Sequence, residues 1–220
     1  GLPGDVDLFK PLQRAKEIEL IVVRHEAASV FMAMGYARVT GEVGFCHVSQ
    51  GPGVAYITAA LLGAQAACSP VVVVCPSTNR KIEGMGAIQE SGHQIPMISP
   101  ITKWAYRVPK ASRIPWALRR AFYLAKSGQP GPVYLEIPQD IGGTRKEIPE
   151  YEPAVQPIRS GGDPRKIEEA ARMILGSERP AMVVGGGAVL SRASKEVVGL
   201  AELMHIPIIT TPCGRGIVSE

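Results

Sequence analysis

The residues with the clearest chemical potential are an acid and a glycine-rich turn, each directly following an apolar run. Glu26 comes after the run 19–23 and opens a stretch of helical period. Side chains at the carboxyl ends of parallel strands commonly contact ligands in α/β folds, so Glu26 stands where a catalytic carboxylate is expected. The structural alternative is charge complementarity with the helix dipole, which contributes about 0.3–1 kcal/mol.

The second feature is the sequence Ser-Gln-Gly-Pro-Gly at 49–53, which follows the next apolar run. Glycine has no side chain and lets the backbone approach a ligand closely. We therefore predict that Gly51, Pro52 and Gly53 form a binding turn, with an ordinary strand-to-helix turn as the alternative. His25 precedes Glu26, but neighbouring helical residues point about 100° apart, so we expect His25 to be a structural neighbour. His93 is expected to be a solvated loop residue.

These residues need a scaffold, and the hydrophobic pattern predicts one. Apolar runs of strand length alternate with stretches of helical period, which is typical of a parallel sheet covered by helices. Residues 76–109 form a long irregular segment, which usually indicates a functional loop. The predicted strands are 19–23, 43–48, 71–75, 133–137, 181–184 and 207–210, and the predicted helices are 26–40, 54–67, 112–126, 166–175 and 191–205.

The chain of 220 residues divides into two predicted domains. The segment 142–164 is rich in proline, glycine and charge and has no hydrophobic period, which indicates a linker. We predict an α/β domain over 1–141, the linker over 142–164, and a second, Rossmann-like α/β domain over 165–220. The second domain has only two predicted strands, too few to bury a core, so we expect it to be incomplete.

Composition excludes several classes of function. The net charge of +4 is spread along the chain and only 5% of the residues are aromatic, so we do not expect nucleic-acid binding. The four cysteines show no CxxC pair, which indicates neither a zinc site nor a disulfide framework. Cys46, Cys68 and Cys75 lie in apolar runs, and we interpret them as buried thiols in a reducing cytoplasm. The stretch without charged residues between Glu42 and Arg80 is broken by glycine and proline, so it offers no membrane span of ~20 apolar residues.

Several segments stand in an order that points to one family. They are VRHEAASVFMAMGYARVTGEVGFCHVSQGPG, SPVVVVCPSTNR, AIQE, PITKWAYRV, GQPGPVYLEIPQDI and, in the second domain, AMVVGGGAVLSRA. Together they resemble thiamine-diphosphate-dependent enzymes, in particular the acetolactate synthase and 2-oxoacid decarboxylase group. The resemblance covers essentially the whole chain. It implies that residues 1–141 are the pyrimidine-binding domain, with the first strand missing, and that the second domain is the start of the central domain.

The resemblance also implies roles for individual residues. Glu26 matches the carboxyl group that hydrogen-bonds N1′ of the cofactor's aminopyrimidine and promotes loss of the thiazolium C2 proton. Gly51, Pro52 and Gly53 match the turn that approaches the pyrimidine, and Pro3 and Gly4 match a facing loop. Gln89 matches a glutamine that reaches the cofactor from across a dimer. No metal ligand is expected in this chain.

The complete protein is therefore expected to be a lyase or transferase that decarboxylates a 2-oxo acid and joins the acyl unit to an acceptor. The resemblance implies thiamine diphosphate with magnesium, and it allows FAD at the glycines 185–187. The Gly-Asp-Gly…Asn motif that binds magnesium and the diphosphate is absent, so these 220 residues alone are expected to be inactive. A homodimer or homotetramer with the site at the subunit interface would supply the other half.

Three positions depart from the acetolactate synthase pattern. Ile88 stands in place of phenylalanine, Tyr56 in place of asparagine and Leu2 in place of tyrosine. Other decarboxylases or acyltransferases of the same fold, including sulfoacetaldehyde acetyltransferase-like enzymes, are therefore alternatives. A non-catalytic α/β module that binds a nucleotide or a partner is the alternative from another class.

Overall fold

The structure is a computed structural model that describes residues 11–12, 14–142, 148–158 and 160–218. The chain forms two compact units, Gly1–Pro157 and Ile158–Glu220. The predicted domain limits at 141 and 165 stay a prediction. Within the described ranges, no helix is long and apolar enough to cross a membrane.

The described residues form the following helices and strands. The helices are α1 (Glu26–Thr40), α2 (Pro52–Ala66), α3 (Gln94–Ile98), α4 (Ile114–Lys126), α5 (Gln139–Gly142), α6 (Pro164–Leu175), α7 (Gly186–Leu190) and α8 (Ser194–Met204). The strands are β1 (Gly44–His47), β2 (Val71–Ser77), β3 (Trp104–Arg107), β4 (Val133–Pro138), β5 (Met182–Val184) and β6 (Ile208–Thr210).

The first unit contains a parallel sheet with the strand order β1-β2-β4-β3. Its central strand β2 is an almost wholly buried run of valines, as expected for a sheet covered on both faces. Side chains of α1 and α2, such as Val30 and Leu61, pack on one face. The small residues Ala117, Ala121 and Ala125 bring α4 close to the other face. The predicted α/β fold with a parallel sheet and flanking helices is confirmed.

The segment 19–23 was predicted as a strand, and this prediction is wrong in the structure. It has no regular secondary structure, and Ile21 and Val22 are 59% and 80% exposed. A strand needs a neighbour to accept its backbone hydrogen bonds, and among the described strands none pairs with the outer edge of β1. The apolar pattern is present, but none of the described strands lies where it would bury this segment.

The segment 76–109 is less irregular than predicted. It contains α3 and the edge strand β3, which pairs with β4 in parallel register from Trp104↔Val133 to Arg107↔Glu136. All four residues of β3 are half-buried, so the strand lacks the alternation of buried and exposed residues that a period-2 sequence pattern reports.

The second unit has a two-stranded parallel sheet of β5 and β6 with α6, α7 and α8. Of the three glycines 185–187, Gly185 is the N-cap of the short helix α7 and the other two are its first residues. Large apolar side chains stay uncovered: Val183 on β5, Ile209 on β6 and Leu203 on α8 are each more than half exposed. The described strands thus leave much apolar surface uncovered, and the expected incompleteness of this domain stays a prediction.

Candidate active site

Glu26 is the first residue of α1, directly after the cap formed by His25. His25 has extended backbone geometry, and its Nδ1 accepts a hydrogen bond from the backbone N–H of Ala27 (3.2 Å). The ring of His25 also lies 5.2 Å from that of Tyr56, between ring centroids. His25 therefore caps the helix, in agreement with its interpretation as a structural neighbour.

The carboxylate of Glu26 is bonded to the residue that follows β1 by two positions. Ser49 donates from Oγ to Oε1 of Glu26 over 2.7 Å. A hydrogen bond to a charged acceptor is stronger than one between neutral groups, and it fixes the direction of the carboxylate. Within the part of the chain that the structure describes, Oε2 of Glu26 has no hydrogen-bond partner.

The residues Gly51–Gly53, which we call the glycine turn, lie directly against this pair. A Cβ at Gly53 would stand 2.4 Å from Oγ of Ser49 and 3.3 Å from Oε1 of Glu26. Gly53 is therefore packed on both partners of the hydrogen bond. Pro52 is the first residue of α2 and is exposed, in a helix position that favours proline.

The other end of the glycine turn contacts Gln89. Gly51 has φ +62°, and a Cβ there would stand 2.3 Å from the backbone oxygen of Gln89. Gln50 donates from Nε2 to the backbone oxygen of Ile88 (2.9 Å), which joins the same two segments. The structure thus brings together Glu26, the glycine turn and Gln89. Pro3 and Gly4, the remaining predicted binding residues, lie outside the described residues.

Two buried acceptors in this region lack a donor. Oε1 of Gln50 and Oε1 of Gln89 have no hydrogen-bond partner among the described residues. An unsatisfied buried polar atom costs about 1–3 kcal/mol, so native proteins usually pair such atoms with protein, water or ligand. The region therefore has capacity for a ligand that carries N–H or O–H groups.

Comparison with known proteins assigns the family. The description "Thiamine pyrophosphate enzyme, N-terminal TPP binding domain" matches residues 1–97, and "Thiamine pyrophosphate enzyme, central domain" matches residues 167–220. The chain belongs to the thiamine-diphosphate-dependent enzymes. The predicted resemblance is confirmed.

The relatives of this thiamine-diphosphate enzyme chain are acetolactate synthases. It is 35% identical to a probable acetolactate synthase large subunit from Methanocaldococcus jannaschii, aligned over 100% of the chain and 38% of the relative. It is 36% identical to an acetolactate synthase from Mycobacterium bovis (98% of the chain, 36% of the relative). It is 33% identical to the acetolactate synthase large subunit from Haemophilus influenzae, aligned over 98% of the chain and 39% of the relative. The chain spans less than half the length of these curated relatives.

The segment that carries Gln89 is held in place by Glu90. The carboxylate of Glu90 accepts from the backbone N–H groups of Gly84 (2.5 Å), Gly86 (3.1 Å) and Ala87 (3.1 Å). These bonds, chiefly the one from Gly84, lower the pKa of Glu90. Gln89 itself has φ +56°, an uncommon geometry for a residue with a side chain. The thiamine-diphosphate enzyme fold thus stabilises a bent loop next to the glycine turn.

Sequence reasoning missed one residue of this site, Gln94. Its side chain is 2% exposed, and its Oε1 accepts from the backbone N–H of Gly51 over 2.7 Å. Gln94 lies in the segment predicted to be irregular and belongs to no motif, so no local signal could have identified it. His93, the neighbouring candidate, is exposed, as expected for a loop residue.

The described residues offer no evident metal site. No group of three or more His, Cys, Asp or Glu side chains in the described ranges could hold a metal ion. The four cysteines form no disulfide bond. Cys46 and Cys75 are buried as predicted, whereas the prediction that Cys68 is buried is wrong, because Cys68 is partly accessible, as is Cys213.

Proposed function

We propose that this chain holds the aminopyrimidine of thiamine diphosphate and that Glu26 activates it. The whole enzyme would decarboxylate a 2-oxo acid and join the acyl unit to an acceptor, as an acetolactate synthase does. One observation carries the proposal: the carboxylate of Glu26, bonded to Ser49, contacts the glycine turn, and Gln89 closes the other end of that turn.

The residues of the site fit an aminopyrimidine. Oε2 of Glu26 has no partner among the described residues and is the atom that we assign to hold the proton at N1′ of the ring. The unpaired acceptors of Gln50 and Gln89 suit a ligand with an amino group. When bound, thiamine diphosphate supplies the electron sink for decarboxylation.

The glycine turn also has a role within the chain itself. The positions that side chains at Gly51 and Gly53 would take are occupied by Gln89, Ser49 and Glu26. The glycines therefore allow the turn to pack on Glu26 and Gln89 at close range. Contact of Gly51, Pro52 and Gly53 with the ring stays a prediction, as does the role of Pro3 and Gly4.

The second half of the site would come from outside this chain. We propose that the rest of the polypeptide binds magnesium and the diphosphate and acts across a homodimer or homotetramer. The exposed apolar surface of α1 and α2 supports this: Phe31, Tyr36, Val39 and Tyr56 are 54%, 55%, 88% and 55% exposed. Exposed apolar side chains in such number mark an interaction surface. Tyr56 contacts His25, so a partner there would lie next to the residue that precedes Glu26.

FAD at the glycines of the second unit stays a weaker part of the proposal. A Cβ at Gly186 would stand 3.0 Å from Cβ of Cys213, so packing within the unit already accounts for this glycine. Gly187 has open space where a side chain would stand. A flavin titration of the full-length protein, followed by absorbance, tests this binding directly.

The acyl acceptor is the least determined part of the reaction. Ile88 and Tyr56, which replace the residues usual in acetolactate synthases, are 74% and 55% exposed next to the site. They favour keeping other decarboxylases and acyltransferases of the fold as candidates. The proposed cytoplasmic location is consistent with four cysteines that form no disulfide bond.

The test uses the full-length protein with thiamine diphosphate and magnesium. We expect CO2 release from pyruvate or a related 2-oxo acid, and product analysis with candidate acceptors then identifies the transfer. Glu26→Gln should lower the rate about 10²-fold or more, as expected for loss of an acid–base group. Glu42→Gln, at an exposed acid that pairs with Lys126, is the matched control and should leave the rate unchanged. Full activity of Glu26→Gln would show that the assignment is wrong.

A further inference from the structure

We propose that Gln94 is a positioning residue for the cofactor: it holds the backbone of Gly51 and thereby sets the place of the glycine turn. The inference rests on the proposed function, because the turn is part of the proposed cofactor site. It concerns a side chain 43 positions further along the chain, and that side chain belongs to none of the motifs described above.

Gly51 needs a partner from outside its own helix. It is the N-cap of α2, has φ +62° and ψ −111°, and has no side chain to cap the helix. Its backbone N–H points into the unit, where Oε1 of Gln94 accepts it over 2.7 Å in a buried setting. Because a buried N–H without an acceptor is costly, the bond to Gln94 stabilises the position of the turn.

The side-chain amide of Gln94 has one workable orientation. Its Nε2 donates to Oε2 of Glu136 over 3.1 Å, with longer contacts of 3.4 Å to the backbone oxygen of Pro76 and the hydroxyl oxygen of Tyr134. A carboxylate accepts only, so the amide nitrogen must face Glu136 and the amide oxygen must face Gly51. Reversing the amide would break both bonds at once.

Glu136, the acceptor for the side-chain amide of Gln94, forms an ion pair of its own. Glu136 is 5% exposed near the end of β4, and its Oε1 lies 3.0 Å from Nε of Arg107 on β3. Arg107 also lies 2.8 Å from Glu83 in the loop that carries Gln89. Gln94 therefore joins Gly51 to the buried carboxylate of Glu136, which forms a half-buried ion pair with Arg107 on the neighbouring strand.

The consequence for the site follows from the packing of the turn. Gly53 lies against Ser49 and Glu26, two residues after Gly51. A displaced Gly51 would shift the surface offered to the ring while the Glu26–Ser49 bond stays intact. We therefore expect loss of Gln94 to weaken cofactor affinity more than the rate at saturating cofactor.

The test compares variants of the full-length protein by equilibrium dialysis with thiamine diphosphate and magnesium. Gln94→Met keeps the length of the side chain but removes the acceptor, and it should weaken binding about tenfold or more, the effect of one buried hydrogen bond. The rate at saturating cofactor should change by about twofold or less. Gln65→Met, on the exposed side of α2, is the matched control and should bind like the wild type.

A charge swap separates positioning from simple damage to the fold. Gln94→Glu alone places two carboxylates together and should weaken binding at least as much as Gln94→Met. The double variant Gln94→Glu/Glu136→Gln restores both an acceptor for Gly51 and a donor beside it, and it should return affinity to within about threefold of the wild type. This rescue is expected only if Gln94 acts through its hydrogen bonds to Gly51 and Glu136.

Two results would overturn the proposal, and a third concerns the proposed function. Unchanged cofactor affinity in Gln94→Met, or a double variant that binds no better than Gln94→Glu, refutes the positioning role. A wild-type protein that binds no thiamine diphosphate refutes the proposed function instead. In that case hydrogen exchange at the backbone amide of Gly51 tests the hydrogen bond to Gln94 by itself. Exchange should be faster in Gln94→Met, and an unchanged rate refutes the positioning role.

Discussion

The contact between Gly53 and the Glu26–Ser49 pair makes a quantitative prediction about one added methyl group. In Gly53→Ala, the new Cβ would stand 2.4 Å from Oγ of Ser49. Because Oγ is the end of a short side chain, it can rotate away, but it then loses its bond to Glu26. A hydrogen bond to a charged group is worth about 1.5–3 kcal/mol, and alanine regains about 0.5–1 kcal/mol over glycine within a helix. The net loss of stability should be about 0.5–2.5 kcal/mol.

The same change should have a different effect when Ser49 is replaced. In Ser49→Ala the atom that clashes is absent, so adding Gly53→Ala removes no hydrogen bond. The helix preference of alanine then acts alone, and the second substitution should be neutral or stabilise the protein by up to about 1 kcal/mol. The coupling between the two sites should therefore equal the contribution of the lost hydrogen bond, about 1.5–3 kcal/mol, well above the error of such cycles.

Urea denaturation of the four variants measures this coupling. Both tryptophans, Trp104 and Trp116, lie in the first unit, so fluorescence of the 220-residue chain reports unfolding of the unit that contains the site. Equal effects of Gly53→Ala in the two backgrounds would refute the reasoning. That result would mean that Gly53 and Ser49 do not touch as the structure has them.

Three further predictions concern the first unit. Gly44→Ala should prevent folding or cost more than ~3 kcal/mol by denaturation, since its Cβ would stand 2.1 Å from the backbone oxygen of Ala33, which cannot rotate away. Arg80 lowers the pKa of Asp140 in the folded protein, so that the ion pair stabilises the fold above the usual pKa of an aspartate and this contribution is lost as the pH falls through the lowered value. Asp140→Asn should thus be less stable than the wild type at pH 7, with a difference that disappears in acid melts. Burial raises the pKa of Cys46 to about 12, so iodoacetamide at pH 8 should label it only after unfolding, as measured by mass spectrometry.

The hydrophobic pattern of the sequence was sufficient to predict the helices and strands that depend on neighbouring residues in the chain. The helix predicted over 26–40 is α1 with the same limits, because its apolar period is regular and Gly41 ends it in the left-handed conformation (φ +75°). The strands 43–48, 71–75 and 133–137 were placed within two residues of β1, β2 and β4. Buried strands of a parallel sheet are continuous apolar runs, which a sequence displays directly.

Pattern failed where a residue depends on a distant partner. The run 19–23 has the composition of a strand, but none of the described strands pairs with it, and composition does not report neighbours. The role of Gln94 depends on Gly51 and Glu136, which lie 43 and 42 positions away. Residues 26, 51 and 53 were predicted from residue type and position as well as from the family resemblance, and residue 89 from the resemblance alone. Their meeting in one place was visible only in the structure.

The glycine turn is held from two sides, and this has a consequence for how the site would work. Gly53 packs on Glu26 and Ser49, which belong to α1 and to the end of β1, while Gly51 is held by Gln94 and packs on Gln89 in the loop before α3. Because only Pro52 separates the two glycines, the loop cannot shift without moving the surface that contacts the carboxylate. The glycine turn therefore links the loop that carries Gln89 to the proposed catalytic acid, Glu26. A ligand that orders the loop would, by the same contacts, restrict the position of Glu26.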